Sequence, residues 1–452
     1  MSDIPLSTVI LAAGSGTRMR SRRPKVLHPL AGRAMIDHLL ATCSEVTPGR
    51  VTVVVPARGS EIQDHLAGRC HTVRQEQARG TGDALRSVGE EALSAGRVLV
   101  MNADSPLIRA STLRGLAQRQ LESGAEAALL SVHDPSRDDG RVQRDPKGRF
   151  ERIVEHRDAG PDELASAEIN AGVYCFSGPP LWAALARLEP HNQAHELYLT
   201  DVFGHLAEVE VVTAADPDEL IGINDRIQLA RAQACLRRRL LEELMLSGVS
   251  VTDPASTWVD AGVVVGQDTV LEPFTRLLGQ TRIGSDCVIG PFADVGDCEI
   301  GDRVRIDHAW LRQSSIGSDS DCGPFSKLRP GTHLGERVHV GSFAELVRSR
   351  VGRGSRVPHV SYLGDAEVGQ DVNIGAGTIT ANYDGVNKNQ TVIEDGAFIG
   401  VDTMLRAPVR VGRGGRTGAG SVVTRDVPEG ATAVGMPARV LKREAKGGGG
   451  DP

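Results

Sequence analysis

The sequence contains few aromatic residues, no long hydrophobic run and no excess of basic charge. Only 3% of its 452 residues are aromatic while 52 are glycine, and together these argue against a chain built solely from ordinary helical bundles. The formal net charge is −7, whereas nucleic-acid-binding domains usually carry a strong basic excess. No apolar run reaches the ~18 residues of a membrane-spanning helix, and the short run at 8–13 lacks the basic flank of a signal peptide. We therefore expect a cytoplasmic protein that has neither nucleic-acid nor membrane partners.

The cysteines do not suggest a disulfide framework or a zinc site. Their number, seven, is odd, and the sequence has no Cys-x-x-Cys pair and no His/Cys cluster with zinc spacing. The positions are Cys43, Cys70, Cys175, Cys235, Cys287, Cys298 and Cys322. We predict free thiols in a reducing compartment.

The first half of the chain alternates apolar segments with amphipathic ones. Five segments are predicted to be strands: Thr8–Ala13, Val51–Pro56, Val98–Asn102, Ala127–Val132 and Gly172–Phe176. The segments 34–45, 82–93 and 110–122 between them are predicted to be helices. This order predicts an α/β domain over residues 1–225 with a Rossmann-like, mostly parallel sheet. Ligands of such sheets lie at the carboxyl ends of the strands.

A single helix is predicted at 226–247, where the chain is rich in Ala, Leu, Arg and Glu and has neither glycine nor proline. Asn224 or Asp225 can cap its start, and Gly248 can end it. We interpret this segment as a linker helix. Arg237–Arg239 is interpreted as part of its solvated face rather than as a phosphate-binding patch.

Residues 248–440 carry an apolar residue at every sixth position, often followed by glycine. Examples are Ile283-Gly284 with Ile289-Gly290, and Val411-Gly412 with Thr417-Gly418. This period predicts a parallel β-helix of hexapeptide repeats, with three six-residue sides per coil and about ten coils. The segments 303–316 and 378–395 break the repeat and are predicted to be loops that leave the prism. The tail 441–452 is predicted to be disordered.

A glycine-rich turn after the first predicted strand carries the first set of chemically suggestive residues. The run Leu11-Ala12-Ala13-Gly14-Ser15-Gly16-Thr17-Arg18-Met19 is followed by Lys25. Its small residues let backbone N–H groups approach a phosphate chain, and Arg18 and Lys25 add two cations. A tight strand-to-helix connection would need similar small residues. The two cations beside an amide-rich loop favour a nucleoside triphosphate.

This run resembles the signature of the sugar-1-phosphate nucleotidyltransferases. With the hexapeptide repeats, residues 5–440 resemble the bacterial family of bifunctional N-acetylglucosamine-1-phosphate uridyltransferases and glucosamine-1-phosphate acetyltransferases. The resemblance implies a left-handed β-helix, a homotrimer, Mg²⁺ as cofactor, and acetyl-CoA and UTP as co-substrates. It also implies acetylation of glucosamine 1-phosphate, followed by uridylyl transfer from UTP with release of pyrophosphate. The product, UDP-N-acetylglucosamine, is a precursor of peptidoglycan and other bacterial envelope polymers.

The resemblance assigns roles to residues of the N-terminal half. Residues implied in nucleotide binding are Leu11, Ala12, Ala13, Gly14, Lys25, Gln75, Gly80 and Thr81, with Lys25 and Arg18 also catalytic. Asp104 and Asn224 are implied as metal ligands, and Gly140, Glu155, Asn170 and Asn224 as sugar-phosphate contacts. A carboxylate and an amide suit Mg²⁺, which prefers oxygen ligands and keeps several waters. Asp83 and Ala103 depart from the family's pattern, which has His and Gly at these positions.

In the β-helix, polar residues cluster within an otherwise apolar repeat. The resemblance implies that His359 is the proton acceptor of acetyl transfer, a task that suits a neutral imidazole near pH 7. Contacts to glucosamine 1-phosphate are implied for Arg329, Tyr362, Asn373 and Asn382, and contacts to acetyl-CoA for Ala376, Asn382, Tyr383 and Ala419. Four positions depart from the family's pattern: Val347 and Gln390 replace Lys, Val401 replaces Ser, and Met436 falls where Arg is expected.

Two further hypotheses remain open at this stage. The protein could be a uridyltransferase only, with the β-helix as a structural trimerisation or regulatory domain. The four departures favour that hypothesis, whereas His359, Asn373 and Asn382 favour both activities. Alternatively, the nucleotidyltransferase domain could use another base or sugar, although Gln75 with Gly80-Thr81 favours uracil.

Overall fold

The computed structural model describes residues 4–14, 16–57, 60–135, 137–190, 192 and 195–441. The chain divides into two compact units, residues 1–236 and 237–452. No helix within the described ranges combines the length and the apolar character that crossing a bilayer requires. From residue 442 onward, the tail that we predicted to be disordered lies outside the described residues.

The first unit is built on a mixed β-sheet. Its strands are β1 Leu6–Leu11, β2 Pro29–Leu30, β3 Arg33–Ala34, β4 Val51–Pro56, β5 His71–Gln75, β6 Arg97–Asn102, β7 Ala127–His133, β8 Arg141–Arg144, β9 Phe150–Val154, β10 Glu168–Ser177 and β11 Val209–Thr213. The spatial order is β11-β7-β10-β6-β1-β4-β5, with β8 paired to β10 and β9 paired to β8. The strands β2 and β3 form a separate hairpin. All five predicted strands are present.

Helices cover both faces of this sheet. They are α1 Met35–Val46, α2 Ser60–Leu66, α3 Thr81–Arg86, α4 Glu90–Ser94, α5 Ala110–Ser123, α6 Pro161–Leu164 and α7 Gly178–Leu185. Short 3-10 helices span Thr17–Met19, Lys25–Leu27, Leu199–His205 and Pro217–Leu220. Because successive side chains of β1 point to opposite faces, Ile10 packs with α1 and α5, whereas Val9 packs with α3, α4 and α7.

Two details of the first unit differ from the sequence-based expectation. The strand β10 runs antiparallel to both β6 and β7, so the sheet is parallel only in its remaining main pairings. The single helix predicted at 82–93 was wrong, because α3 and α4 are separate. Gly89 stands between them with φ of 93°, a left-handed conformation that favours glycine and interrupts a helix.

A long helix, α8, spans Arg226–Leu246, close to the predicted 226–247. The division between the two compact units, at 236/237, falls inside this helix. Its last part belongs to the second unit, where Leu241 joins the core and the Arg237 guanidinium lies 4.4 Å from the centre of the Trp258 ring.

The second unit is a left-handed parallel β-helix with three faces. Face 1 contains Ser250–Val251, Val270–Leu271, Val288–Ile289, Arg305–Ile306, Asp321–Cys322, His339–Ser342, Arg356–His359, Asn373–Ile374, Phe398–Ile399, Arg416–Thr417, Thr432–Gly435 and Ala438–Val440. Face 2 contains Trp258–Val259, Arg276–Leu278, Asp294–Gly296, Trp310–Arg312, Lys327–Leu328, Glu345–Val347, Tyr362–Gly364, Ile379–Ala381, Met404–Arg406 and Val422–Val423. Face 3 contains Val264–Val265, Arg282–Ile283, Glu299–Ile300, Ser315–Ile316, His333–Leu334, Arg350–Val351, Ala366–Val368, Thr391–Ile393 and Val409–Val411.

The apolar residue of each hexapeptide points into the prism and forms one continuous core, as the repeat predicts. The expected loop at 303–316 was wrong, because Arg305–Ile306, Trp310–Arg312 and Ser315–Ile316 all stay in the faces. The six-residue repeat breaks there because the coil is shorter at its corners. Arg305 pairs with Asp321, 16 residues further along, whereas Val270 pairs with Val288, 18 residues further along. The second predicted loop is present but narrower, since only residues 382–390 lie between consecutive face strands.

All seven cysteines are free thiols, as predicted. Six of them are buried, and Cys70 is partly exposed.

Candidate active sites

In the first unit, the glycine-rich turn lies at the carboxyl end of β1 and packs against Lys25. Gly16 has φ of 58°, and a Cβ placed there would lie 2.7 Å from the Cβ of Lys25. Any larger residue would therefore both strain the backbone and displace Lys25. Arg18, in the 3-10 helix Thr17–Met19, is exposed and lines the adjacent cleft. Ser15 of the same run lies outside the described residues.

Lys25 brings together the two residues that were predicted to bind a metal. Its Nζ lies 3.0 Å from Asp104 Oδ2 and 2.9 Å from Asn224 Oδ1, and all three side chains are partly buried. Asp104 follows β6, and the Ile223 N–H donates to the Asp104 carbonyl over 2.8 Å, which fixes Asn224 beside it. One carboxylate oxygen and one amide oxygen thus converge on a single point.

These residues border a polar cleft of about 330 Å³. The predicted site residues in its lining are Arg18, Thr81, Asp104, Gly140, Glu155, Asn170 and Asn224. Leu11, Ala12, Ala13, Gly14, Lys25, Gln75 and Gly80 are not among the described lining residues. Asn102, Arg137, Tyr198 and Thr200 also line the cleft, and the sequence analysis missed them. Asn102 and Thr200 adjoin buried apolar segments, so their only signal was a polar side chain at the end of such a segment.

Glu155 lies in the wall of the cleft, and its carboxyl group is largely buried. Burial raises the pKa of this carboxyl above its ordinary value, and a hydrogen bond from Thr200 Oγ1 to Oε1 (2.8 Å) partly opposes that rise. A Cβ on Gly140 would lie 3.4 Å from Glu155 Oε2 and 3.2 Å from the Ile153 side chain. Gly140 therefore leaves open the space in front of the carboxylate.

Asn170 is held firmly on β10. Its Nδ2 donates to the Tyr174 hydroxyl over 2.7 Å, its Oδ1 accepts from the Gly172 N–H over 3.2 Å, and its own N–H donates to the Gly140 carbonyl over 2.8 Å. Burial raises the pKa of the Tyr174 hydroxyl, so this group stays neutral at ordinary pH. Gly140 and Asn170 are thus fixed relative to each other.

The predicted base-binding residues form a cluster between β5 and α3. Gln75 ends β5 and its Nε2 donates to the Gly80 carbonyl over 3.0 Å. The Thr81 hydroxyl accepts from the Leu199 N–H over 3.0 Å. The segment containing Leu199 and Thr200 therefore contacts both the predicted nucleotide residues and Glu155.

In the second unit, three predicted residues and Val401 stand in one column at the corner between faces 1 and 2, which we call the first corner. Arg356 pairs with Asn373, Asn373 with Phe398, and Phe398 with Arg416. The residues three positions further along, in four consecutive coils, are His359, Ala376, Val401 and Ala419. His359 and Val401 are exposed there, so the predicted base and three predicted or expected acetyl-CoA positions share one edge of the prism.

Tyr362 and Asn382 meet over Gly364 on face 2. A Cβ on Gly364 would lie 2.6 Å from Asn382 Nδ2 and 2.8 Å from the Tyr362 hydroxyl. Asn382 Nδ2 donates to Asp365 Oδ2 over 2.5 Å, and Arg348 donates to both oxygens of Asp365 over 2.6 and 2.9 Å. These hydrogen bonds, that from Arg348 above all, lower the pKa of Asp365. Arg348, which follows Val347 in the sequence, thus forms an ion pair with Asp365.

The other predicted acetyl-site residues are more dispersed. Arg329 Nη1 donates to Glu345 Oε1 over 3.1 Å, and Asn373 is partly exposed on face 1. Tyr383 lies in the 382–390 loop, where its hydroxyl donates to the Gly385 carbonyl over 2.6 Å.

The four residues that depart from the family's pattern, Val347, Gln390, Val401 and Met436, occupy three kinds of environment. Val347 is buried, and Gln390 Nε2 donates to Glu367 Oε2 over 3.0 Å. Val401 and Met436 are exposed.

Comparison with known proteins gives a consistent result over nearly the whole chain. A family model for the MobA-like NTP transferase domain matches residues 8–209. A relative from Heliobacterium modesticaldum is 46% identical over 95% of this chain and 95% of its own length. A relative from Syntrophomonas wolfei is 44% identical over 95% and 97%, and one from Carboxydothermus hydrogenoformans 43% over 96% and 99%. All three are described as bifunctional protein GlmU.

Proposed function

This chain belongs to the family of bifunctional GlmU proteins, and from that premise we propose that it has two active sites. One is the Lys25 centre, formed by Lys25, Asp104 and Asn224, and the other is the first corner. The protein is a two-activity enzyme that makes UDP-N-acetylglucosamine. It acetylates glucosamine 1-phosphate and uridylylates the product, with small-molecule substrates in both reactions. The similarity extends over the β-helix as well as the first unit, and nothing in it favours a uridyltransferase-only protein.

The Lys25 centre supports uridylyl transfer. In this reaction a phosphate oxygen of N-acetylglucosamine 1-phosphate attacks the α-phosphorus of UTP, and the bond to pyrophosphate breaks. The protein needs no nucleophile of its own, because alignment and charge neutralisation supply the catalysis. Lys25 and Arg18 carry the positive charge that would face the phosphates. The observation that carries the assignment is the convergence of Lys25, Asp104 and Asn224 on one point.

The same three residues fit Mg²⁺ as the metal. Asp104 Oδ2 and Asn224 Oδ1 are hard oxygen donors that already point at one cation, the Lys25 ammonium group. Among the described residues no group of three or more His, Cys, Asp or Glu side chains forms a metal cage. Two protein ligands leave places for water and phosphate oxygens. When bound by Asp104 and Asn224, Mg²⁺ would neutralise charge on the phosphates.

The cleft beside this centre suits the sugar phosphate. Glu155 and Asn170 offer a carboxylate and an amide that can accept or donate hydrogen bonds to sugar hydroxyl and acetamido groups. Gly140 keeps the space before Glu155 clear, because a side chain there would press on Ile153 and Glu155. These contacts would orient the attacking phosphate toward Lys25.

The first corner supports acetyl transfer. The amine nitrogen of glucosamine 1-phosphate attacks the thioester carbonyl carbon of acetyl-CoA, and the carbon–sulfur bond breaks. His359 would accept the amine proton and deliver it to the departing sulfur, so that coenzyme A leaves as the thiol. The observation that carries this assignment is the exposure of His359 in the same corner column as Ala376, Val401 and Ala419.

We also propose a homotrimer that forms along the first corner. In earlier coils this corner carries Phe274, Phe292, His308, Phe325 and Phe343, whose neighbouring rings have centroids 4.7–5.4 Å apart. Phe343 is 62% exposed, and the other three phenylalanines are more than half exposed. Such a continuous exposed aromatic column is unusual for a surface facing water. It leads directly to Val360 and His359, so copies that cover it would meet at the acetyl site.

Two assays on the full chain test the two sites. Coenzyme A release from acetyl-CoA and glucosamine 1-phosphate should disappear in His359→Ala, while UDP-N-acetylglucosamine formation from UTP and N-acetylglucosamine 1-phosphate should persist. Lys25→Met should show the reverse pattern. Loss of both reactions in either variant, or of neither, would contradict the assignment of two separate sites.

A further inference from the structure

Gln75 uses both hydrogens of its amide group within the protein. Its Nε2 donates to the Gly80 carbonyl over 3.0 Å and to Asp83 Oδ2 over 3.1 Å. Gln75 is only 5% exposed, so its side chain has little freedom. Among the described residues, none donates a hydrogen bond to Gln75 Oε1. The amide is therefore held with its oxygen as the available group.

Asp83 is one of the positions at which this chain departs from the pattern of its family. A carboxylate offers only acceptors, whereas the histidine of the family's pattern can offer a donor or an acceptor. Arg86 Nη2 binds the other oxygen of Asp83 over 3.0 Å and fixes the carboxylate in place. If the Gln75 amide were turned around, its Oε1 would face Asp83 Oδ2. Two acceptor oxygens would then lie opposite each other, so an Asp83 held in this way disfavours that orientation.

We infer that Asp83 is a positioning residue for base selection: it presents Gln75 Oε1 as a fixed acceptor for the N3–H of uracil and so disfavours cytosine. The inference rests on the proposed uridylyl-transfer function and on Gln75 meeting the base there. Uracil carries a donor at N3, whereas cytosine carries an acceptor. With N3 opposite Oε1, CTP would place two acceptors together with no hydrogen between them. Selection then comes from the repulsive contact as much as from the attractive one.

The test measures uridylyl transfer by the full chain with UTP, CTP and thymidine triphosphate as alternative substrates. The variants are Asp83→Asn, nearly the same size but able to face Gln75 with either a donor or an acceptor, and Asp83→His, which restores the family's residue. Glu91→Gln is the matched control, because it removes one negative charge from an exposed position in the first turn of α4. The quantity compared is kcat/KM for UTP divided by that for CTP.

We expect both Asp83 variants to lower the UTP-to-CTP ratio by about tenfold, the effect of losing one fixed charged hydrogen bond. The UTP-to-thymidine-triphosphate ratio should not change, since both bases have N3–H. A purely structural role for Asp83 would lower all three rates together. An unchanged UTP-to-CTP ratio in a folded Asp83 variant, or an equal fall in Glu91→Gln, overturns the inference while the proposed function stands. If the unmodified chain does not use UTP, the proposed function itself fails.

Discussion

Asp365 connects two side chains at the corner between faces 2 and 3, and its replacement is the sharpest test of the acetyl site. It accepts two hydrogen bonds from Arg348 and one from Asn382 Nδ2. In Asp365→Asn, the charge is lost and only one acceptor oxygen remains. If that oxygen takes the place of Oδ1, Asn382 loses its acceptor; if it takes the place of Oδ2, Arg348 Nε loses its acceptor and Asn382 keeps only a neutral one. Asn382 is 7% exposed and cannot turn to solvent, so weakening its hydrogen bond costs more free energy than weakening those of Arg348.

The expected magnitude follows from the type of bond that is lost. A hydrogen bond to a charged group contributes about 1.5–3 kcal/mol, more than a neutral one at about 0.5–1.5 kcal/mol. The Arg348 contribution is smaller, since that side chain is 41% exposed and water screens the pair. Weakening the Asn382 bond by about 1–2 kcal/mol corresponds to about a tenfold loss in kcat/KM. We expect that loss in acetyl transfer and none in uridylyl transfer.

The assay compares coenzyme A release with UDP-N-acetylglucosamine formation for the same preparations. Glu336→Gln is the matched control, because Glu336 and Arg353 form another exposed acid–arginine pair on the prism, 3.7 Å apart. An Asp365→Asn variant with unchanged acetyl transfer would show that Asn382 does not need this anchor. An equal loss in Glu336→Gln would show that the effect is general charge removal.

Two further predictions concern stability and assembly. Because burial raises the pKa of Glu155, its ionisation costs stability as pH rises from the carboxyl's ordinary value through the raised one. Glu155→Gln should therefore raise the unfolding temperature at pH 8 by calorimetry, and the difference should shrink toward pH 5; a constant difference would refute this. Phe343→Glu should convert the proposed trimer to smaller species by light scattering and abolish acetyl transfer while uridylyl transfer persists. Leu246 is also exposed but lies outside the column, so Leu246→Glu should leave the proposed trimer intact; an assembly unaffected by Phe343→Glu would place the interface elsewhere.

The sequence by itself determined the elements whose signals are local. Alternating apolar segments predicted five of the seven strands in the main sheet order to within a few residues, since each strand's buried face is encoded in its own side chains, whereas β5 and β11 were not predicted. The six-residue period predicted the β-helix for the same reason. The types of chemistry were also local, because a glycine-rich turn with Arg18 and Lys25 is contained within one short run.

Only the tertiary structure decided which of these residues meet. Lys25 contacts Asp104 and Asn224 across 79 and 199 positions of sequence, and no periodicity encodes such a contact. The ion pair between Arg348 and Asp365 likewise depends on how many residues each coil contains. Coils of unequal length shift the register of every later corner, so the sequence alone could not show which side chains stack. Secondary structure follows from neighbouring residues, whereas a site follows from register and packing between distant ones.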